Sequence, residues 1–166
     1  MARRRTKQTS GRTASRKPNG QDEAVDYGPL AEWVGFNLRM AQAAAFQAFS
    51  RLAQEVGTRP GRFATLMLIG RNPGISQTAL SRANGRDKSS LTPVLNDLAR
   101  RGLIRRARTR ADQRAYRLSL TPAGKSLLAQ LVRCARTHER NLDRIIGARE
   151  QKSFVRVLKR IIAEVG

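Results

Sequence analysis

Cysteine is nearly absent from this sequence. Cys134 stands alone, so no intrachain disulfide can form and nothing ties the chain to an oxidising compartment. Aromatic residues make up only 5% of the chain and histidine occurs once. With one histidine, no recognisable pairing of carboxylates, no glycine-rich phosphate loop and no metal-ligand spacing, there is little from which to build a catalytic centre. No enzyme activity and no cofactor are therefore expected. Long apolar runs are missing too. The longest, from Phe63 to Ile69 with Thr65 inside it, is far short of the roughly 20 residues that a membrane span requires. Arg3, Arg4 and Arg5 look like the basic start of an export signal, but no hydrophobic segment follows them, so a cytoplasmic protein is expected.

The most telling shortage is of negative charge. Twelve acids face 33 lysines and arginines, for a net charge of +21 over 166 residues. A catalyst for neutral metabolites has no use for such self-repulsion, whereas a densely anionic partner accounts for it. Nucleic acid comes first and an anionic membrane surface second. Residues 1–20 contain seven of the basic residues, no acid and almost nothing apolar. A segment of that kind cannot bury enough surface to offset its ordering entropy, so residues 1–24 read as a disordered basic arm. The rest of the chain is long enough for one domain with a sizeable core and remains strongly basic.

After the arm, Leu30 to Val56 reads as one long helix, apolar over so much of its girth that burial on more than one side is expected. Gly57 stops it, and Pro60 opens a short second helix carrying Phe63, Leu66, Met67 and Ile69. Beyond the turn Asn72-Pro73-Gly74, Ser76 is suited to cap a third helix with Leu80 and Ala83 inward and Asn84-Gly85 as its stop. Asp87 caps a fourth, whose inward stripe is Leu91, Val94, Leu95 and Leu98 and whose end is Gly102. Two short helices joined by a tight glycine turn are the composition of a helix-turn-helix. Leu103 to Arg106 and Ala115 to Leu120 read as two strands of a hairpin, with Arg108, Arg110 and Arg114 in the polar stretch between them. Thr121-Pro122 then starts a long helix that Gly147 breaks. Its apolar stripe runs Leu128, Leu131, Val132, Ala135, His138, Leu142, Ile145 and Ile146. The last helix, about 148–165, carries Phe154, Leu158, Ile161, Ile162 and Val165.

That order, together with the block Leu95-Asn96-Asp97-Leu98-Ala99-Arg100-Arg101-Gly102-Leu103-Ile104-Arg105-Arg106, then Asp112-Gln113-Arg114, then Leu118-Ser119-Leu120-Thr121-Pro122-Ala123-Gly124, resembles the MarR family of winged-helix transcription regulators. The likeness runs over roughly residues 28–165 and leaves the arm outside it. It implies a mainly α fold with a small β-hairpin. Residues 57–120 would form a winged helix-turn-helix domain, and residues 28–56 and 121–165 a helical dimerisation region. It also implies a homodimeric, ligand-responsive repressor.

An α-helix fits the major groove, where base edges carry a readable donor and acceptor code. The outward residues of the fourth helix, Lys88, Ser89, Ser90, Thr92, Pro93 and Asn96, are expected to face double-stranded DNA, with the Pro93 ring placed to touch a thymine methyl. Ser76, Gln77 and Thr78 lie at a helix start, where backbone amides hold phosphate. The same residues are otherwise ordinary solvated surface, with Pro93 a kink. Arg108, Arg110 and Arg114 suit a narrow minor groove, and the resemblance assigns Asp112 the task of orienting Arg114. The competing reading is a salt-bridged loop that touches no groove. Leu30, Leu142, Ile145, Ile146, Phe154, Leu158, Ile161, Ile162 and Val165 are expected at a symmetric dimer interface, because they exceed what a winged domain can cover. Such a dimer would set its two recognition helices about 34 Å apart.

The resemblance further implies a small-molecule aromatic acid effector. Candidate lining residues are Trp33, Met40, Phe46, Phe63, Met67 and His138, with Arg39 as counter-charge; plain core packing explains the same set. Peroxide-sensing relatives use a cysteine in the first helix, whereas Cys134 lies in the fifth, which argues against redox sensing. A different class of function, non-specific binding of nucleoid DNA or RNA through the arm and net charge, would show no site preference and a complete loss of binding with salt.

Overall fold

The structure, a computed structural model, describes residues 25–108 and 116–165. The basic arm and the hairpin tip, with Arg110, Asp112 and Arg114, lie outside the described residues. Chain contacts divide the molecule into two compact units, one ending at Asn37 and one beginning at Leu38. In the first, a short 3-10 helix covers Gly28–Glu32, and the Asp26 carboxylate accepts the Gly28 amide at 2.8 Å. The Asn37 amide group donates to the carbonyls of Ala31 (2.8 Å) and Trp33 (2.9 Å), and the rings of Tyr27 and Phe36 pack 5.5 Å apart.

The expected helix from Leu30 is thus delayed. Helix α1 is Val34–Gln54, because the turn at Pro29 is completed first and Trp33 is extended. From Leu38 onward α1 is followed by α2 (Phe63–Arg71), entered through a 3-10 turn at Pro60–Arg62. Then come strand β1 (Ile75–Ser76), α3 (Gln77–Ala83), α4 (Lys88–Arg100), β2 (Ile104–Arg108), β3 (Tyr116–Leu120), α5 (Pro122–Ile146) and α6 (Gln151–Val165). The fold is mainly helical with a small antiparallel sheet, as the sequence implied.

The sheet holds three strands in the order β1-β3-β2. Strand β2 pairs with β3 from Ile104↔Leu120 to Arg108↔Tyr116. The third member, β1, pairs Ile75 with Leu118 and Ser76 with Arg117; two residues are too few to show a period, so the sequence pattern gave only the hairpin. Leu66, Ile69, Leu80, Leu91, Leu95, Leu98, Leu103, Ile104, Leu118 and Leu131 form the buried core. Burying a leucine completely contributes about 1.5–3 kcal/mol, so this layer holds α2 to α5 and the sheet together.

One expectation about packing is corrected. Ala83 is exposed and Ser81 is buried in its place, its hydroxyl donating to the Arg86 carbonyl; a helix of seven residues is too short for its apolar phase to be read from spacing. Among the described residues α1 buries only Ala53 of its own length. In the single chain Ile145 is 81% exposed and α6 buries none of its residues. Among the described residues no helix is long and apolar enough to cross a membrane.

Candidate nucleic-acid interface

Side-chain caps fix where α3 and α4 begin. Ser76 leaves β1 in extended conformation and its hydroxyl accepts the Ala79 amide at 3.1 Å. At α4 the Asp87 carboxylate accepts the Ser90 amide (2.7 Å) and the Ser89 hydroxyl (2.6 Å). These hydrogen bonds, Ser89's first, hold the exposed Asp87 carboxyl below its ordinary pKa of 3.8. The link between the helices turns at Gly85, whose φ of +60° is costly for any residue with a Cβ. Asn84 donates to the Thr65 hydroxyl (3.1 Å), tying the turn to α2. Gln77 donates to the Thr92 hydroxyl (2.9 Å), which itself donates to the Lys88 carbonyl (2.7 Å). The start of α3 is therefore locked to the first turns of α4.

With Leu91, Leu95 and Leu98 buried, α4 turns Lys88, Ser89, Thr92, Pro93 and Asn96 outward as one exposed stripe. Ser90 is exposed as well, and its hydroxyl donates to the Asp87 carbonyl. Pro93 keeps its place inside the helix and offers no N–H to the carbonyl one turn back. The expected row of small hydroxyls is thus present, though Ser89, Ser90 and Thr92 are each held by an internal hydrogen bond. Thr78 is exposed at the start of α3.

Beside this face lie the basic strands. Arg106 donates to the Asn96 side-chain carbonyl at 2.8 Å and so joins β2 to α4, while its Nε is buried without a partner. Arg108 donates to the Tyr116 hydroxyl at 3.4 Å, and its guanidinium carbon lies 5.7 Å from the ring centroid. That contact draws the phenol pKa down. Arg117 reaches the Gly74 carbonyl at 3.3 Å. Sequence reasoning singled out Arg108 but missed Arg106, Tyr116 and Arg117. Their signal was the spacing of basic residues along both strands, hidden by attention to the tip.

The set proposed for an effector divides. Phe46, Phe63 and His138 share a hollow of about 270 Å³ with Phe49, whose ring is 5.3 Å from Phe63 and 5.7 Å from the buried His138. Met67 joins Phe63 in an adjoining hollow of about 410 Å³, which also has Arg136 in its wall. Trp33, Arg39 and Met40 line neither hollow. Trp33 and Met40 are exposed, and the cations in the walls of the second hollow are Arg136 and Arg140 of α5.

A capped two-helix unit backed by a three-stranded sheet, with basic strands beside the second helix, defines a winged helix-turn-helix protein. The MarR family model matches residues 57–115. The chain is 35% identical over 147 residues to a Thauera aromatica protein assigned as a transcriptional regulatory protein for the hcr operon, covering 87% of this chain and 89% of that one. Among solved structures it is similar to the transcriptional repressor CouR bound to a 23-mer DNA duplex, at 30% identity and TM-score 0.78, over 84% of this chain and 99% of that one. CouR bound to p-coumaroyl-CoA matches at 29% identity and TM-score 0.76, over 85% and 99%. The PcaV regulator of Streptomyces coelicolor with its natural ligand matches at 27% and 0.75, over 86% and 99%. The chain belongs to the MarR family of winged-helix transcriptional regulators.

Proposed function

We propose that this protein is a dimeric, sequence-specific repressor that leaves its operator when it binds an aromatic carboxylic acid. The observation that carries the DNA reading is the exposed stripe of α4, rigidly capped by Asp87 and flanked by Arg106 and Arg108. Ser89, Ser90, Thr92, Pro93 and Asn96 meet base edges, and Lys88, Ser76, Gln77 and Thr78 meet phosphate. Arg108, with Arg110 and the Asp112–Arg114 pair of the hairpin tip, grips the flanking minor groove. CouR, a similar chain, is a repressor seen on DNA. In this reading residues 57–120 bind DNA, and residues 28–56 and 121–165 pair two copies through Leu30, Leu142, Ile145, Ile146, Phe154, Leu158, Ile161, Ile162 and Val165.

Nuclease footprinting at moderate salt tests the DNA reading. A footprint confined to a short inverted repeat is expected, and equal protection of random duplex would replace it with the non-specific alternative. Arg114→Ala should weaken operator binding; unchanged affinity would remove the wing from the interface.

The aromatic hollow around Phe46, Phe63 and His138 supports an aromatic acid as effector, and it needs to act only through a difference in affinity between the free and DNA-bound forms. A second reading has its own observation. A groove of about 640 Å³ with an apolar floor at Met67, Leu120, Leu128 and Val132 is edged by Arg71, Lys125, Arg133 and Arg136. That pairing of apolar floor and cations suits a coenzyme thioester of such an acid, the kind of ligand CouR holds. A thermal-shift comparison of hydroxybenzoate and hydroxycinnamate acids with their coenzyme A thioesters separates the two.

A further inference from the structure

A hollow of about 530 Å³ lies away from the outward stripe of α4, walled by Gln54, Gly57, Thr58, Arg59, Arg62 and Arg101. It forms where the end of α1 and the entry to α2 meet the C-terminal end of α4. Arg62 is largely buried and pairs with Asp97 at 2.6 Å, and Arg100 takes the other carboxylate oxygen at 2.8 Å. With Asp97 shared between these two, no ion pair among the described residues takes up Arg59 or Arg101. Glu55, the nearest acid in sequence, is not in the walls.

Thr58 supplies the second observation. It is 5% exposed, its amide donates to the Ala53 carbonyl, and its Oγ1 is buried with no hydrogen-bond partner. An unpartnered buried hydroxyl costs about 1–3 kcal/mol, so the Thr58 hydroxyl calls for a partner that the described residues do not supply. The negative end of the α4 dipole explains a basic residue at Arg100 or Arg101. It explains neither Arg59 and Arg62 outside that helix nor the unpartnered hydroxyl of Thr58 in the same wall.

We propose that this hollow is a binding site for a phosphate-class oxyanion, held by the guanidinium groups of Arg59, Arg62 and Arg101 and by a hydrogen bond donated from the Thr58 hydroxyl. Arginine presents planar paired donors that match such oxygens, and the anion relieves the crowding of like charge. The Arg62 pKa already feels that crowding. Burial lowers it most, Asp97 opposes, and Arg101, Arg59 and Arg100 lower it further. Helix α4 has 13 residues and is therefore about 20 Å long, so the hollow is a helix length from the Asp87 cap. The phosphate is either one on a DNA backbone flanking the operator or one on a free phosphorylated solute.

Inorganic phosphate is titrated into the full chain at constant ionic strength made up with chloride, following thermal midpoint and the Thr58 and Arg101 amide resonances. The wild type and Thr58→Ser should show saturable shifts. Thr58→Val and the double variant Arg59→Gln/Arg101→Gln, each checked for native circular dichroism, should bind at least tenfold more weakly. In parallel, operator affinity is measured against salt. If backbone phosphate is the natural occupant, the double variant lowers the slope of log affinity against log salt by about one without changing site preference. If a free solute is, the slope stays and a phosphomonoester binds more tightly than inorganic phosphate. Wild-type shifts no larger in phosphate than in chloride, with an unchanged slope, overturn the proposal. So does phosphate binding that survives Thr58→Val, particularly if that variant is simply more stable.

Discussion

Gly124 shows how much one side chain can decide. It stands three residues after the Thr121 cap and donates its amide to the Thr121 hydroxyl at 3.1 Å. A Cβ there would overlap the Leu103 carbonyl oxygen and come within 3.0 Å of its carbon, both backbone atoms that cannot step aside. The same carbonyl accepts the Thr121 amide at 3.1 Å, so the close approach anchors α5 to the entry of β2. Gly124→Ala should therefore destabilise the protein by about 1–3 kcal/mol or more, read as a lower urea midpoint. A neutral result would mean that α5 is free to move off the sheet. In the core, Leu95→Ala should cost about 2–5 kcal/mol by the same measurement. Gly124 was visible in the sequence as part of a patterned block, but its reason was not, because its neighbour lies 21 positions back along the chain.

At the scale of elements, the caps were the most legible feature. Ser76, Asp87 and Thr121 all accept the amide three residues on, since a short oxygen-bearing side chain before a helix satisfies a donor that the helix itself cannot. Ser76→Ala should cost about 1 kcal/mol in thermal or chemical unfolding, and should loosen the α3 start that Gln77 ties to Thr92. Asp87 adds a pH dependence. Its folded pKa lies below 3.8, so the charged cap contributes its full stabilisation above that value and loses it as pH falls through the lowered one. Asp87→Asn should flatten that acid limb in a series of unfolding midpoints. What pattern could not give was strand β1 or the phase of α3. Both are shorter than the periods that would reveal them, and both are set by β3 and by the core beneath.

Over the whole molecule, apolar surface is the outstanding term. Phe154 is 44% exposed and Val165 82%, on a helix that buries nothing within its own chain. The dimer proposed above would cover these residues. Sedimentation should find the wild type as a dimer at micromolar concentration, and Ile162→Glu should shift it toward monomer and lose operator affinity with it. A monomeric wild type would remove the paired-helix reading altogether. The arm makes a separate contribution: deleting residues 1–20 should flatten the salt dependence of DNA binding while leaving site preference in place. Loss of preference would show that the arm reads bases.

The sequence by itself determined the class of fold, the starts of α3, α4 and α5 and the basic character, because caps, glycine stops and charge are properties of neighbouring residues. Only the tertiary structure decided which residues of the candidate set share a hollow, separating Phe46, Phe63 and His138 from Met40. It alone joined Arg106 to Asn96, and it left Thr58 unpartnered among arginines drawn from two distant stretches. Those outcomes depend on which surfaces meet when helices pack, and spacing along the chain carries no record of that.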